Sequence, residues 1–145
     1  MSKPLKVIYA GIFLNKESTA YLTGYVNGLV GHLYDNLLCH HLTLRFKPDE
    51  QFLRQIEKVM GATVEMTICS IGDNTRIQAV GIEKEGMVMF SSNDIPHITV
   101  SHKDGTKPVE SNELTFRPTR SEHPLIGHIA VMTNRGIRYD LKEIL

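Results

Sequence analysis

One four-residue phrase occurs twice in this chain: His41-Leu42-Thr43-Leu44 and His97-Ile98-Thr99-Val100 both read His, apolar, Thr, apolar. The alternation has the period of a β-strand, whose successive side chains face opposite sides. Each copy therefore puts its His and Thr on one face and its two aliphatics on the other. Two strands are demanded, each with one face in a core. Laid side by side, they bring two imidazoles and two hydroxyls onto one cleft floor. An imidazole pair supplies one general base and one general acid near neutral pH, and the hydroxyls can hold phosphate oxygens. That is equipment for cutting a phosphodiester without a metal. The bland alternative is a pair of amphipathic strands whose solvent faces happen to carry His and Thr.

Parity selects among neighbours. His41 shares a face with Thr43 and Arg45, whereas His40 falls with Leu42, Leu44 and Phe46 and is expected to be packed or at a rim. In the second copy His97, Thr99 and Ser101 share the cleft face, and Pro96, Ile98 and Val100 face the core. The chain has seven histidines, yet neither His40-His41 nor His123 with His128 supplies three ligands, and no His-x-x-x-His or Cys-x-x-Cys occurs. No Gly-rich phosphate loop, Gly-x-Ser-x-Gly elbow or dinucleotide fingerprint is present. No metal and no cofactor are expected.

Around the motifs the pattern mixes strands and helices. Residues 6–14 read as a strand buried on most of both sides, and 19–30 as a helix weakened by Gly24 and Gly28. The first motif strand is expected over residues 37–46, followed by a turn at Lys47-Pro48-Asp49. A helix then carries Phe52, Ile56, Val59 and Met60 on one stripe and ends at Gly61. Strands are expected at 63–71, 76–80 and 86–90, with the second motif strand at 95–101. A polar loop spans 102–112, a strand spans 126–132, and 138–145 is a strand or a terminal helix. No linker or composition shift divides residues 1–145, so one α+β domain is expected.

Acidic and basic residues balance at 16 each, with 41% hydrophobic and 22% charged residues. Clamping duplex nucleic acid needs a broad basic face, so a small nucleotide or the end of an RNA strand fits better than duplex DNA. Cys39 and Cys69, the two cysteines, form no disulfide framework, which makes the cytoplasm the expected location. No apolar run is long enough to span a bilayer, and the first residues do not lead into a signal-peptide pattern, so no membrane partner is expected.

The doubled motif resembles the signature of the 2H phosphoesterase superfamily, named for its two His-x-Thr/Ser-x motifs. Gly105-Thr106-Lys107-Pro108-Val109-Glu110-Ser111-Asn112 is similar to a segment of the cyclic phosphodiesterase domains of fungal-type tRNA ligases. The resemblance implies a bilobal fold, two antiparallel sheets with flanking helices around a central cleft. It implies that His41 and His97 divide the base and acid roles while Thr43 and Thr99 hold the non-bridging oxygens. The implied substrate carries a 2',3'-cyclic phosphate, a 2'-5' linkage or a cyclic di- or oligonucleotide; phage anti-defence members of the superfamily are similarly compact. Candidate substrate contacts are Tyr9, where the family often places an aromatic, Arg45 on the His41 face, and Lys107 in the loop after the second motif. The rival reading is a module that holds a cyclic nucleotide or RNA end without cutting it. Only the intact acid–base pair argues against it.

Overall fold

The computed structural model describes residues 4–145. Strand β1 (Val7–Leu14) leads into helix α1 (Lys16–Val30). The Asn15 side chain accepts a hydrogen bond from the Ser18 amide at 2.8 Å, satisfying one of the helix's orphan donors. Gly31 ends the helix in the left-handed conformation, φ 82°, with its N–H on the Asn27 carbonyl. Ser18, Leu22 and Val26 form the buried stripe. Next come β2 (Asn36–Leu37), β3 (His41–Phe46) and a short helix α2 (Glu50–Ile56) capped by Asp49. Strands β4 (Thr63–Met66), β5 (Ile68–Asp73), β6 (Ile77–Ile82) and β7 (His97–His102) follow. The chain closes with β8 (Phe116–Pro118), β9 (Leu125–Thr133) and β10 (Gly136–Arg138).

The architecture is α+β, with a sheet whose described pairings are all antiparallel. The strand order is β10-β9-β1-β3-β7-β6-β5-β8, with β2 added to β7 and β4 to β9. Two separate sheets were expected. Instead one hydrogen-bonded sheet takes in all of these strands, and the thinnest point of its path is the β3–β7 seam, a ladder of the single pair Leu42–Ile98. Helix α1 packs against β9 and β7. Leu42, Leu44, Ile98 and Val100, the aliphatic halves of the two motifs, are fully buried in one core with Leu22, Val26 and Ile12.

Several elements differ from the sequence expectation. The strand expected over 63–71 is split into β4, which pairs with β9, and β5, which pairs with β6 and β8. Residues 139–145 form turns and not a strand or helix. The first motif strand is interrupted: Cys39 adopts φ 49°, so the chain breaks between β2 and β3 instead of running through 37–46. Residues Gly86–Phe90 form a 3-10 turn, not a strand, because only Val88 is buried and its neighbours have no partner strand to alternate against. The loop after β7 holds a second 3-10 turn, Pro108–Glu113, opened by Pro108 at its first position and closed back by Glu110, whose carboxylate accepts from the Lys107 amide at 2.8 Å.

Candidate functional site

The single ladder pair between β3 and β7 lets the sheet part on the face opposite its core. A cavity of about 460 Å³ opens there, and His41, Thr43, His97 and Thr99 all line it. The burial of Leu42 and Ile98 fixes the register, and strand alternation then turns the polar residues outward together. Phe46, Leu38 and Val109 give the cavity apolar walls, and Asn93 and Asn112 place amides beside them.

His97 is held on both sides. Its Nδ1 lies 2.8 Å from the Ile95 carbonyl, an acceptor only, so Nδ1 carries the proton and donates. Neutral His97 therefore keeps its lone pair on Nε2. The Ser111 hydroxyl sits 3.0 Å from that nitrogen, 2.9 Å from Thr99 Oγ1 and 2.8 Å from the Pro108 carbonyl. Its single proton goes to Nε2 when His97 is neutral and to the carbonyl when the imidazole is charged. Burial lowers the His97 pKa, while hydrogen bonds to Ile95 and Asn112 pull it the other way.

His41 lies against β1. Its ring stacks on Tyr9 with centroids 4.5 Å apart, and Phe13 packs 5.5 Å away. The Tyr9 hydroxyl is 3.3 Å from His41 Nδ1, and burial pushes the Tyr9 pKa up to about 12, so the phenol keeps its proton. A second imidazole reaches the same nitrogen: His40 Nδ1 is 2.9 Å from His41 Nδ1. Burial, then the neighbouring His40 and His97, lowers the His41 pKa to about 4. His40 is exposed, as a rim residue should be, yet it lines the cavity and touches the motif histidine. Strand alternation did not reveal this, because β3 begins at His41 and the left-handed Cys39 sets His40 outside the alternation.

The other candidate contacts separate. Arg45 is not in the cavity lining; its guanidinium lies 4.4 Å over the Phe52 ring of α2. The reason is a β-bulge: Gly11 faces Thr43 but Ala10 faces Arg45, so Leu44 is the extra residue and the alternation shifts. Phe46, not Arg45, then comes to the cavity face. Lys107 is exposed at the foot of the turn whose Pro108 and Val109 reach the cavity. Tyr9 reaches the site only through His41. Ser111 and Asn112 were not singled out as site residues, since they lie in a loop with no periodicity; the similarity of segment 105–112 to tRNA-ligase domains was the one signal there. Among the described residues, no three His, Cys, Asp or Glu side chains converge as a metal-ligand set would.

Residues 41–138 match the profile of the fungal tRNA ligase phosphodiesterase domain, a span that begins on His41 and contains His97. The chain belongs to this family. The match covers both motifs and the Ser111 turn, and leaves β1, with Tyr9, and α1 outside it. No curated protein matches the chain. As a member of the fungal tRNA ligase phosphodiesterase family, the chain places its two matched motifs on adjoining strands at one cavity. No helix among the described residues is long and apolar enough to cross a membrane.

Proposed function

We propose that this chain is a metal-independent phosphodiesterase acting on a nucleotide phosphodiester, with an RNA end bearing a 2',3'-cyclic phosphate as its substrate class. One observation carries the reading: two imidazoles and two threonine hydroxyls from the doubled motif line the same cavity. Family membership supports the reaction type, and a cavity of about 460 Å³ suits a nucleotide, inside the range of about 300–1,000 Å³ usual for small-ligand sites. One histidine takes a proton from water as its oxygen attacks phosphorus. The other protonates the ribose oxygen as its bond to phosphorus breaks. Thr43 and Thr99 donate to the non-bridging oxygens as charge builds there. Phe46 at the cavity wall offers a ring face to a base, and the Asn93 and Asn112 amides offer both donors and acceptors to its edge.

The test is turnover by purified protein in chelator, beside His41→Ala and His97→Ala. The substrates are 2',3'-cyclic AMP, an RNA ending in a cyclic phosphate, a 2'-5' dinucleotide and cyclic dinucleotides. Cleavage of the cyclic phosphates that both substitutions abolish is the expected result. Preference for a cyclic dinucleotide would move the substrate from RNA ends to signal degradation. Tight binding without cleavage by the wild type would make the cleft a receptor.

A further inference from the structure

Resting on that reading, we propose that His40 is a positioning residue for the reaction: it holds His41 with a proton on Nε2, toward the cleft, and supplies the Nδ1 side as that proton departs. The geometry is the 2.9 Å contact between the two Nδ1 atoms. At that distance two lone pairs or two N–H groups would repel, so one proton lies between the rings. His97 decides which way it points. In its neutral form the Nδ1 proton goes to the Ile95 carbonyl and Nε2 keeps a lone pair, which suits His97 to the role of base. The acid role falls to His41, which requires a proton on its own Nε2. Its Nδ1 must then accept, and both groups beside it can donate: His40 Nδ1 at 2.9 Å and the Tyr9 hydroxyl at 3.3 Å.

A neutral imidazole that gives up Nε2–H and gains nothing becomes an imidazolate, too basic to be a product of this step. The pair avoids that. With one extra proton, His40 is the cation and His41 is neutral. As the ribose oxygen leaves phosphorus it takes the His41 Nε2 proton, and the His40 Nδ1 proton passes to His41 Nδ1. His40 ends neutral with its proton on Nε2, and His41 ends neutral with its proton on Nδ1. His97 meanwhile gains the proton from the attacking water, so the charge lost by the pair appears on His97. The cycle closes when His97 releases its proton, His41 Nε2 takes one from solvent in the cleft, and the His41 Nδ1 proton passes back to His40 Nδ1.

The surroundings agree. His41 is held near pKa 4 by burial and its two neighbouring imidazoles, so by itself it is uncharged at neutral pH. His40 is solvent-exposed, though partial burial lowers its pKa as well. Tyr9 and Phe13 face the pair from β1, and His97 faces it from β7; among the described residues no carboxylate hydrogen-bonds either ring.

The experiment compares wild type, His40→Ala and His40→Asn on 2',3'-cyclic AMP across pH, with ¹⁵N imidazole spectra of the same proteins without substrate. His40→Ala is expected to lower kcat by about 10- to 100-fold with KM unchanged within about twofold, the loss of an assisted proton transfer. Its basic limb should move to lower pH, because His41 must then carry the charge alone. His40→Asn keeps a donor but cannot supply a proton, so it should keep the His41 tautomer and still be slow. An unchanged kcat and basic limb in His40→Ala would overturn the proposal. If the wild type cuts nothing, the phosphodiesterase reading fails, and the spectra then decide the histidine pair alone. A proton on His41 Nε2, lost in part in His40→Ala, supports the positioning; a proton on Nδ1 refutes it.

Discussion

Tyr9 does two separable things for His41. Its ring covers one face of the imidazole, and its hydroxyl lies near Nδ1. Tyr9→Phe keeps the ring and removes a single neutral hydrogen bond, whose net worth is about 0.5–1.5 kcal/mol. A fall in kcat of about 3- to 10-fold is expected from steady-state kinetics, and a larger fall for Tyr9→Ala, which opens the ring's face. Equal losses from the two would mean that packing contributes nothing. Thr99 is tied differently, because its hydroxyl and His97 Nε2 both meet Ser111. A phosphate that engages both groups must take the place of that hydroxyl. Ser111→Ala is therefore expected to lower KM by a few-fold while leaving kcat within about threefold. A raised KM would mean that Ser111 itself holds the phosphate. The placement of the four motif residues at one cavity could be read from residue types and parity. The Ser111 bridge could not, since it joins positions 12 and 14 residues apart through a turn.

At the scale of elements, the site depends on how closely β1 can approach β3. Gly11 lies opposite Thr43, and a methyl group there would stand 2.7 Å from the Leu42 carbonyl oxygen. That oxygen belongs to backbone between His41 and Thr43, so relief requires the motif strand itself to move. Gly11→Ala is expected to cost about 1–3 kcal/mol in chemical denaturation, the usual range for overpacking. Activity should fall further than stability explains. Asp49→Ala is the control at the same scale: it removes the cap of α2, where Asp49 accepts from the Phe52 amide at 2.8 Å. It should cost about 1 kcal/mol and leave kcat unchanged. The strands carrying the motifs were legible because a period of two is a strong local signal. The bulge at Leu44 was not, because it is a property of the β1–β3 pairing and leaves no mark in either strand alone. Arg45 was misplaced for that reason. Residues 86–90 were read as a strand from their apolar content, but burial of a single residue suffices to anchor a turn.

At the scale of the whole molecule, the sheet path was not legible, because a seam of one ladder pair is decided by tertiary packing and not by any local pattern. That seam places buried His97 and half-buried His41 in the middle of the structure beside exposed His40, and the three couple folding to pH. His40, His41 and His97 all have pKa values lowered by burial. An unfolded histidine takes up its proton near pH 6.5, whereas folded His41 does so near 4. Between those values the unfolded chain binds more protons, so stability rises with pH there. The contribution is fully present above about pH 6.5 and is lost as the pH falls through about 4. For His41 alone it is of order 3 kcal/mol as an upper bound. Carboxylates add acid sensitivity at and below the lower edge of this range; burial works against the Asp73 carboxylate, but hydrogen bonds from Tyr34, Thr75, Gln78 and His32 hold its pKa below the ordinary value. A difference between variants removes that common part. Urea unfolding of wild type and His41→Gln at pH 7 and pH 4.5 should show the wild type losing more stability on acidification, by about 1–3 kcal/mol. Parallel losses in the two proteins would mean that His41 is solvated, and that the cavity does not shield the pair on which the proposed acid role depends.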